Sequence, residues 1–107
     1  MTQQRVFFLN TLKPGVDPKD YEEWVRTVDY PIARGQSAIN SYVVTRLTGH
    51  LGGTGDLPCQ YLEVLEITDI DEYRTVGDTS AEFRRLMAEF NDYVGTTVAV
   101  YGDVIAD

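Results

Sequence analysis

Two side chains in this sequence suit proton transfer. Asp29 lies late in a predicted helix, where the helix dipole disfavours a carboxylate, and it borders the apolar stripe of that helix. His50 is the single histidine, the usual proton carrier near neutral pH, and it lies in a glycine-rich loop that we expect to close over a pocket. We therefore predict that Asp29 and His50 are catalytic. The alternatives are a surface ion pair of Asp29 with Arg26 or Arg34, and a solvated loop histidine.

A second carboxylate, Glu63, shares one face of a predicted strand with Tyr61 and large apolar residues. Such a carboxylate is either desolvated, with a raised pKa, or paired with a cation. Arg46 on the preceding strand is a candidate partner, and an ion pair at the sheet edge is the alternative. Trp24 is a candidate for stacking on a ligand, or else core packing. Six residues are predicted to bind substrate: Asn10, Trp24, Tyr42, Arg46, Tyr61 and Glu63.

The sequence lacks the motifs of the common cofactor and metal sites. Its glycine-rich segment, residues 49–58, lies between two predicted strands and not before a helix, so it does not fit a phosphate-binding loop. One cysteine and one histidine cannot form a typical zinc site. We therefore expect neither a cofactor nor a metal.

The charge and the apolar segments exclude other classes. A net charge of −8 disfavours binding to nucleic-acid phosphates. The apolar runs are far shorter than the roughly 20 residues of a membrane helix. No signal-peptide pattern precedes the first strand, and Cys59 is the single cysteine. These features favour a cytoplasmic location, with no membrane partner.

Apolar periodicity predicts four strands and two helical regions to position these residues. The strands are predicted at 5–12, 38–48, 59–68 and 96–105. The first helix begins at Asp17-Pro18, kinks at Tyr30-Pro31 and ends at Gly35. Its apolar stripe comprises Tyr21, Trp24, Val25, Val28 and Ile32.

The second helical region is predicted in two parts. A short helical turn begins at Asp69 and is broken at Gly77-Asp78. The next helix is capped by Thr79 and ended by Gly95. Its apolar face comprises Phe83, Leu86, Met87, Phe90 and Val94.

The order β-α-β-β-α-β predicts an α+β, ferredoxin-like fold with an antiparallel four-stranded sheet, as one domain over residues 1–107. Both helical regions then cover the same sheet face. Three strands nevertheless carry large apolar residues on both faces. Because monomers rarely expose such a surface, we expect a homodimer formed through the uncovered faces. A monomer with a curled sheet is the alternative.

An ordered set of short segments resembles the RedY-like (HapK-like) family. These segments are Leu12–Pro18, Tyr21-Glu22-x-Trp24, Asp29-Tyr30-Pro31, Ser41-Tyr42 with Arg46, and Tyr61–Val64. Members of this family accompany the biosynthesis of prodigiosin-type pigments and bisindoles. The resemblance implies a dimeric α/β barrel with a pocket between sheet and helices. In EthD-like relatives a histidine often precedes the x-Pro at the end of helix one. Here Asp29 takes that place, so we do not expect an EthD-type or haem-ligating role.

We therefore expect a cofactor-independent enzyme of secondary-metabolite biosynthesis. It would bind a flat pyrrolic or indolic intermediate and steer its cyclisation, condensation or proton transfer. One alternative is a non-catalytic carrier that shields such an intermediate. The other is a purely structural dimerisation module.

Overall fold

Four antiparallel strands form a single sheet in the order β2-β3-β1-β4. The computed structural model describes residues 3–106. Met1, Thr2 and Asp107, which the predicted domain includes, lie outside the described part. The strands are β1 (Gln4–Leu12), β2 (Ile39–Arg46), β3 (Tyr61–Ile67) and β4 (Val94–Asp103). Continuous runs of β-branched and aromatic residues favour these extended segments.

The helices all pack against one face of this sheet. The first helical segment comprises α1 (Pro18–Trp24), a π-helical turn (Val25–Asp29) and α2 (Tyr30–Arg34). The second comprises α3 (Ile70–Thr79) and α4 (Ala81–Tyr93). The predicted α+β, ferredoxin-like architecture is confirmed. Among residues 3–106, no helix has the length and apolar character needed to cross a membrane.

The core lies between the helices and the inward side chains of the strands. On β3 the buried positions alternate along the strand, with Tyr61, Glu63, Leu65 and Ile67 on the helix side. Helix α4 adds buried aromatic and aliphatic side chains at helical spacing, whereas α3 contributes no buried residue. Helix α3 packs against the core through half-buried side chains, including those of Ile70, Tyr73 and Val76.

The opposite face of the sheet has no helix over it. The backbone register aligns Val43, Val64, Phe7 and Val100 in one row across all four strands. Val43 is 52% exposed and Val100 is 49% exposed. This row, together with Leu9, Leu62 and Val98 beside it, forms an apolar surface that we call the open face.

The first helix differs from its prediction in one turn. The expected kink at Tyr30-Pro31 is replaced by a π-helical turn just before it, closed by the Tyr30 N–H donating to the Val25 carbonyl five residues back. The wider turn shifts the buried face of the following residues. Asp29 and Ala33 are buried there, whereas Val28 and Ile32 of the predicted stripe are half-buried. The residues of the predicted stripe all pack against the core, with Val28 and Ile32 at its margin and Asp29 and Ala33 buried beside them.

The second half departs from prediction at three boundaries. Gly77 does not break α3, which continues to Thr79. The cap of α4 is Ser80 and not Thr79, because the Ser80 hydroxyl accepts from the Phe83 N–H. Gly95 lies within β4 and does not end the helix. Its strand passes so close to Lys13 that an added Cβ would lie 3.2 Å from the Lys13 Cγ.

A large-to-small substitution tests the position of the core. Ile67 is 1% exposed, so Ile67→Ala should lower the free energy of unfolding in urea by about 2–5 kcal/mol. Leu51→Ala, at a fully exposed loop position, should change it by less than about 0.5 kcal/mol. Equal losses in the two variants would contradict this core.

Candidate functional site

A tyrosine hydroxyl joins two buried carboxyl groups on the helix side of the sheet. The Tyr42 hydroxyl lies 2.5 Å from Asp29 Oδ2 and 2.7 Å from Glu63 Oε1. Each of the three residues is 4% exposed. No other strand or helix places two carboxyl groups around one hydroxyl in residues 3–106. We call these residues the acid pair and its tyrosine.

Counting hydrogens on this bridge indicates that the acid pair holds one proton. A phenol has a single hydrogen and can donate it to only one carboxylate. Both short contacts are therefore satisfied when one carboxyl group is protonated and donates to the Tyr42 oxygen, while Tyr42 donates to the other. Two ionised carboxylates this close in a dry interior would repel each other strongly.

Burial also raises the pKa values of the whole cluster. The pKa of Glu63 rises to about 8, first because of burial and then because of the Asp29 charge. The pKa of Asp29 rises to about 6, chiefly because of burial, against the hydrogen bond from Tyr42 and the charge of Arg34. The pKa of Tyr42 lies well above its usual value because burial and both acids oppose ionisation. Near pH 7 the proton of the pair therefore belongs mainly to Glu63.

Three separate elements bring the acid pair and its tyrosine together. Tyr42 on β2 pairs with Leu65, and Val44 pairs with Glu63, so Tyr42 and Glu63 are diagonal neighbours on the inner face of the sheet. Asp29 comes from the helix above, where the π-helical turn directs it inward. A regular α-helix turns by about 100° per residue. Without the extra residue of the π-helical turn, Asp29 would therefore be rotated by about that angle, away from the sheet.

Two buried hydrogen-bond donors lie beside Glu63 without a partner. Asn10 and Tyr21 both stabilise the ionised form of Glu63 by their proximity, yet neither the Asn10 Nδ2 nor the Tyr21 hydroxyl has a partner with hydrogen-bond geometry. The Asn10 Oδ1 accepts from the Thr97 hydroxyl at 2.6 Å.

The acid pair and its tyrosine line a narrow cavity under α3 and α4. Its volume is about 20 Å³, which is room for about one water molecule. Apart from Asp29, Tyr42 and Glu63, its walls are apolar or aromatic. These residues are Phe8, Ala33, Leu65, Tyr73, Phe83, Leu86, Met87 and Phe90.

The other predicted site residues lie elsewhere. His50 is exposed, with Nε2 3.0 Å from the Asp56 carbonyl oxygen, and it does not line this cavity. Trp24 packs in the core against Tyr21 and Tyr93 and borders a shallow surface groove. The prediction that His50 transfers protons stays a prediction.

The suggested pairing of Arg46 with Glu63 is wrong. Arg46 instead pairs with Glu22, at 2.9 Å between Nε and Oε2. Tyr61 donates to the same Glu22 oxygen at 2.6 Å. Arg46 lies opposite Tyr61 in the strand register, one diagonal step beyond Glu63, and reaches the exposed end of α1. The suggested pairing of Asp29 with Arg26 is also absent, since Arg26 pairs with Glu23.

Two features of the site are not predicted from the sequence, Tyr21 as a neighbour of Glu63 and the particular residues of the aromatic cavity wall. Both had a signal. Tyr21 lies four residues before Val25 and eight before Asp29, which places all three on one side of a helix that contains a π-helical turn. Phe83, Met87 and Phe90 form the apolar face of α4, but periodicity alone does not separate a cavity wall from ordinary core.

The described residues contain no obvious metal centre. Within residues 3–106, no group of three or more histidine, cysteine, aspartate or glutamate side chains is arranged to hold a metal ion.

The fold and site define a ferredoxin-like α+β protein with a buried acid pair. The family model of the REDY-like protein HapK matches residues 4–105, and the chain belongs to that family. No protein of curated function gave a significant match.

Solved structures share the fold at low sequence identity. The crystal structure of HapK from Hahella chejuensis is 21% identical, with a TM-score of 0.80 over 97% of this chain and 94% of that one. A dimeric ferredoxin-like protein of unknown function from Thermobifida fusca is 16% identical, with a TM-score of 0.73 over 96% and 92%. An EthD family protein from Bacillus halodurans is 14% identical, with a TM-score of 0.75 over 96% and 99%.

The raised pKa values predict how stability depends on pH. A carboxyl group whose pKa is higher in the folded state binds more protons there, so its stabilising contribution is complete below the unfolded pKa and is lost as pH rises through the folded pKa. For Glu63 the window runs from about 4.5 to about 8. The advantage of the wild type over Glu63→Gln in unfolding free energy should therefore fall with rising pH, by up to about 1.4 kcal/mol per pH unit.

Chemical denaturation of the wild type and of Glu63→Gln at several pH values within this window measures how the difference between their unfolding free energies changes with pH. Glu66→Gln is the matched control, because it removes the same group from the same strand on the side of the sheet away from the cavity. A difference between wild type and Glu63→Gln that does not vary with pH would contradict the raised pKa.

Proposed function

We propose that this protein is a cofactor-independent enzyme that moves protons on a flat aromatic intermediate bound beneath α3 and α4. The observation that supports this most directly is the Tyr42 hydroxyl held between two buried carboxyl groups in an apolar cavity. A base and an acid of different pKa at one site are what a cyclisation, condensation or tautomerisation requires.

The proposed roles follow from where the shared proton resides. Asp29, with the lower pKa, is the general base and removes a proton from the substrate. Glu63, with the higher pKa, is the general acid and donates its proton to a second substrate atom. Tyr42 then passes its proton to Glu63 and receives the one on Asp29. The site returns to its initial state, and no net proton is gained or lost.

Ligand entry requires the helices over the cavity to move. The present volume holds about one water molecule, so an aromatic ring must displace side chains of the upper wall. Helix α3 contributes no buried residue to the core, and the half-buried Met87 is a flexible side chain that can change its packing. We therefore propose that α3 and the adjoining part of α4 open to admit the ligand and then exclude water during the reaction.

The biological setting proposed here comes from the family. Membership of the HapK family supports a role in the biosynthesis of a pyrrolic or indolic secondary metabolite, such as a pigment or bisindole. The remaining predicted site residues keep supporting roles in this proposal. Asn10 lies beside Glu63 and favours its ionised form, whereas Arg46 and Tyr61 lie at a neighbouring surface cleft.

We also propose that a second copy of this chain covers the open face. That face presents rows of apolar residues across four strands with no helix above it, and burying such a surface is favourable. The similar protein from Thermobifida fusca is described as dimeric.

A carrier that shields an intermediate is the second candidate. The small, mostly apolar cavity supports it, because sequestration needs exclusion of water but no proton transfer. The two candidates differ in whether the acid pair changes the rate of a reaction.

A model reaction separates them. The neutral aromatic compound 5-nitrobenzisoxazole loses a C–H proton to a base, its N–O bond breaks, and a coloured phenolate forms. The wild type should accelerate this by about 10²–10⁴-fold over buffer, increasingly as pH rises through the Asp29 pKa of about 6. Asp29→Asn should lose most of the acceleration and Leu51→Ala none.

Equilibrium dialysis of the same compound completes the comparison. Binding without any acceleration by the wild type would contradict the enzyme proposal and favour the carrier. Acceleration that survives unchanged in Asp29→Asn would contradict the role of Asp29.

The dimer is tested by its mass in solution. Sedimentation velocity at several micromolar concentrations should show a dimer of the wild type, whereas Val100→Lys should sediment as a monomer, because a lysine at the open face would bury a charge in the interface. Leu51→Lys, an equally drastic change away from the open face, should remain dimeric. A monomeric wild type at these concentrations would contradict the proposal.

A further inference from the structure

The cavity carries negative charge, and no positively charged side chain lines it. Among the described residues, none of the side chains that line it is lysine, arginine or histidine. Arg34 is the basic residue whose charge acts on Asp29. Its guanidinium is already engaged, because Nη2 donates to the Tyr42 carbonyl at 2.8 Å and the group lies 3.8 Å above the Tyr30 ring.

The walls of the cavity also favour a positive charge. Besides Tyr42, four aromatic residues line it, Phe8, Tyr73, Phe83 and Phe90. The face of an aromatic ring attracts a cation, most strongly where water is excluded. An anion would meet the ionised carboxylate of the acid pair, and no cationic side chain in the wall would neutralise it.

We propose that the ligand of this cavity is a cation, a protonated amine or iminium nitrogen attached to an aromatic ring, and that the site rejects carboxylates and phosphates of the same size. This rests on the proposed function in placing the ligand beneath α3 and α4. The ligand nitrogen would donate to Asp29 or Glu63, and its ring would pack among the aromatic side chains.

Binding of a cation has a consequence that binding of a neutral ring lacks. A positive charge beside Asp29 and Glu63 favours their ionised forms and lowers both pKa values. The proton held by the acid pair near pH 7 is then partly released to the buffer. Ligand uptake is therefore coupled to release of up to one proton.

Three probes of nearly equal size test the sign of the charge. Benzylamine, benzyl alcohol and benzoate are respectively positive, neutral and negative at pH 7. Calorimetric titration of the full chain should give a Kd for benzylamine about tenfold or more below that for benzyl alcohol. Benzoate should bind more weakly than the alcohol. Titrations in phosphate and in Tris, which differ in ionisation enthalpy, should show proton release with benzylamine alone.

Variants locate the source of the preference. The double variant Asp29→Asn with Glu63→Gln should bind benzylamine and benzyl alcohol equally and release no proton. Glu66→Gln, which changes the charge on the same strand outside the cavity, should keep the wild-type preference. Circular dichroism spectra of each variant check that it is folded. If the double variant unfolds, the single variant Glu63→Gln replaces it, and its preference for benzylamine over benzyl alcohol should be smaller than that of the wild type.

Three results would overturn the proposal: binding of benzoate as tight as that of benzylamine, no binding of benzylamine, and a preference for benzylamine that persists in the double variant. The last result would show that the preference arises from the general acidity of the surface. If benzyl alcohol binds and 5-nitrobenzisoxazole is still turned over while charge has no effect, only this proposal fails and the proposed function stands.

Discussion

The repulsion between two carboxyl groups in a dry interior is the constraint on which this structure depends. Asp29 and Glu63 can be buried together only because Tyr42 lies between them and because one of them keeps a proton. A buried pair of this kind is costly to the fold, and replacing it by apolar residues is often neutral or stabilising in proteins. Its presence is therefore better explained by chemistry than by stability.

The surrounding elements are arranged to hold that pair. The pairing of β2 with β3 places Tyr42 diagonally across from Glu63, and the π-helical turn aims Asp29 at both. Such turns are frequent at functional sites because they place a side chain where a regular helix would not. The opposite sheet face carries the partly exposed Arg5–Glu66 ion pair, and its apolar rows suit association with another surface. The two faces of one sheet thus have separate physical characters.

Much of the fold followed from the sequence, because alternating and helical periodicities were clear, and the resemblance to the RedY-like family is confirmed. Asp29, Tyr42 and Glu63 are all predicted site residues, but the sequence does not predict the hydrogen bonds that join them. The reason is the π-helical turn, which leaves no simple pattern in the sequence and moves Asp29 from beside the apolar stripe into it. Arg46 is a candidate partner of Glu63 in the sequence because strand alternation gives the face of a residue but not its reach.

Direct titration of the two carboxyl groups tests the central claim. Carbon-13 NMR of the side-chain carboxyl carbons, assigned through Asp29→Asn and Glu63→Gln, follows each group from pH 3 to 10. The account predicts coupled titrations with apparent pKa values near 6 and near 8. Two carboxyl groups that both titrate below pH 5 would show that the pair holds no proton at neutral pH, and would contradict the account.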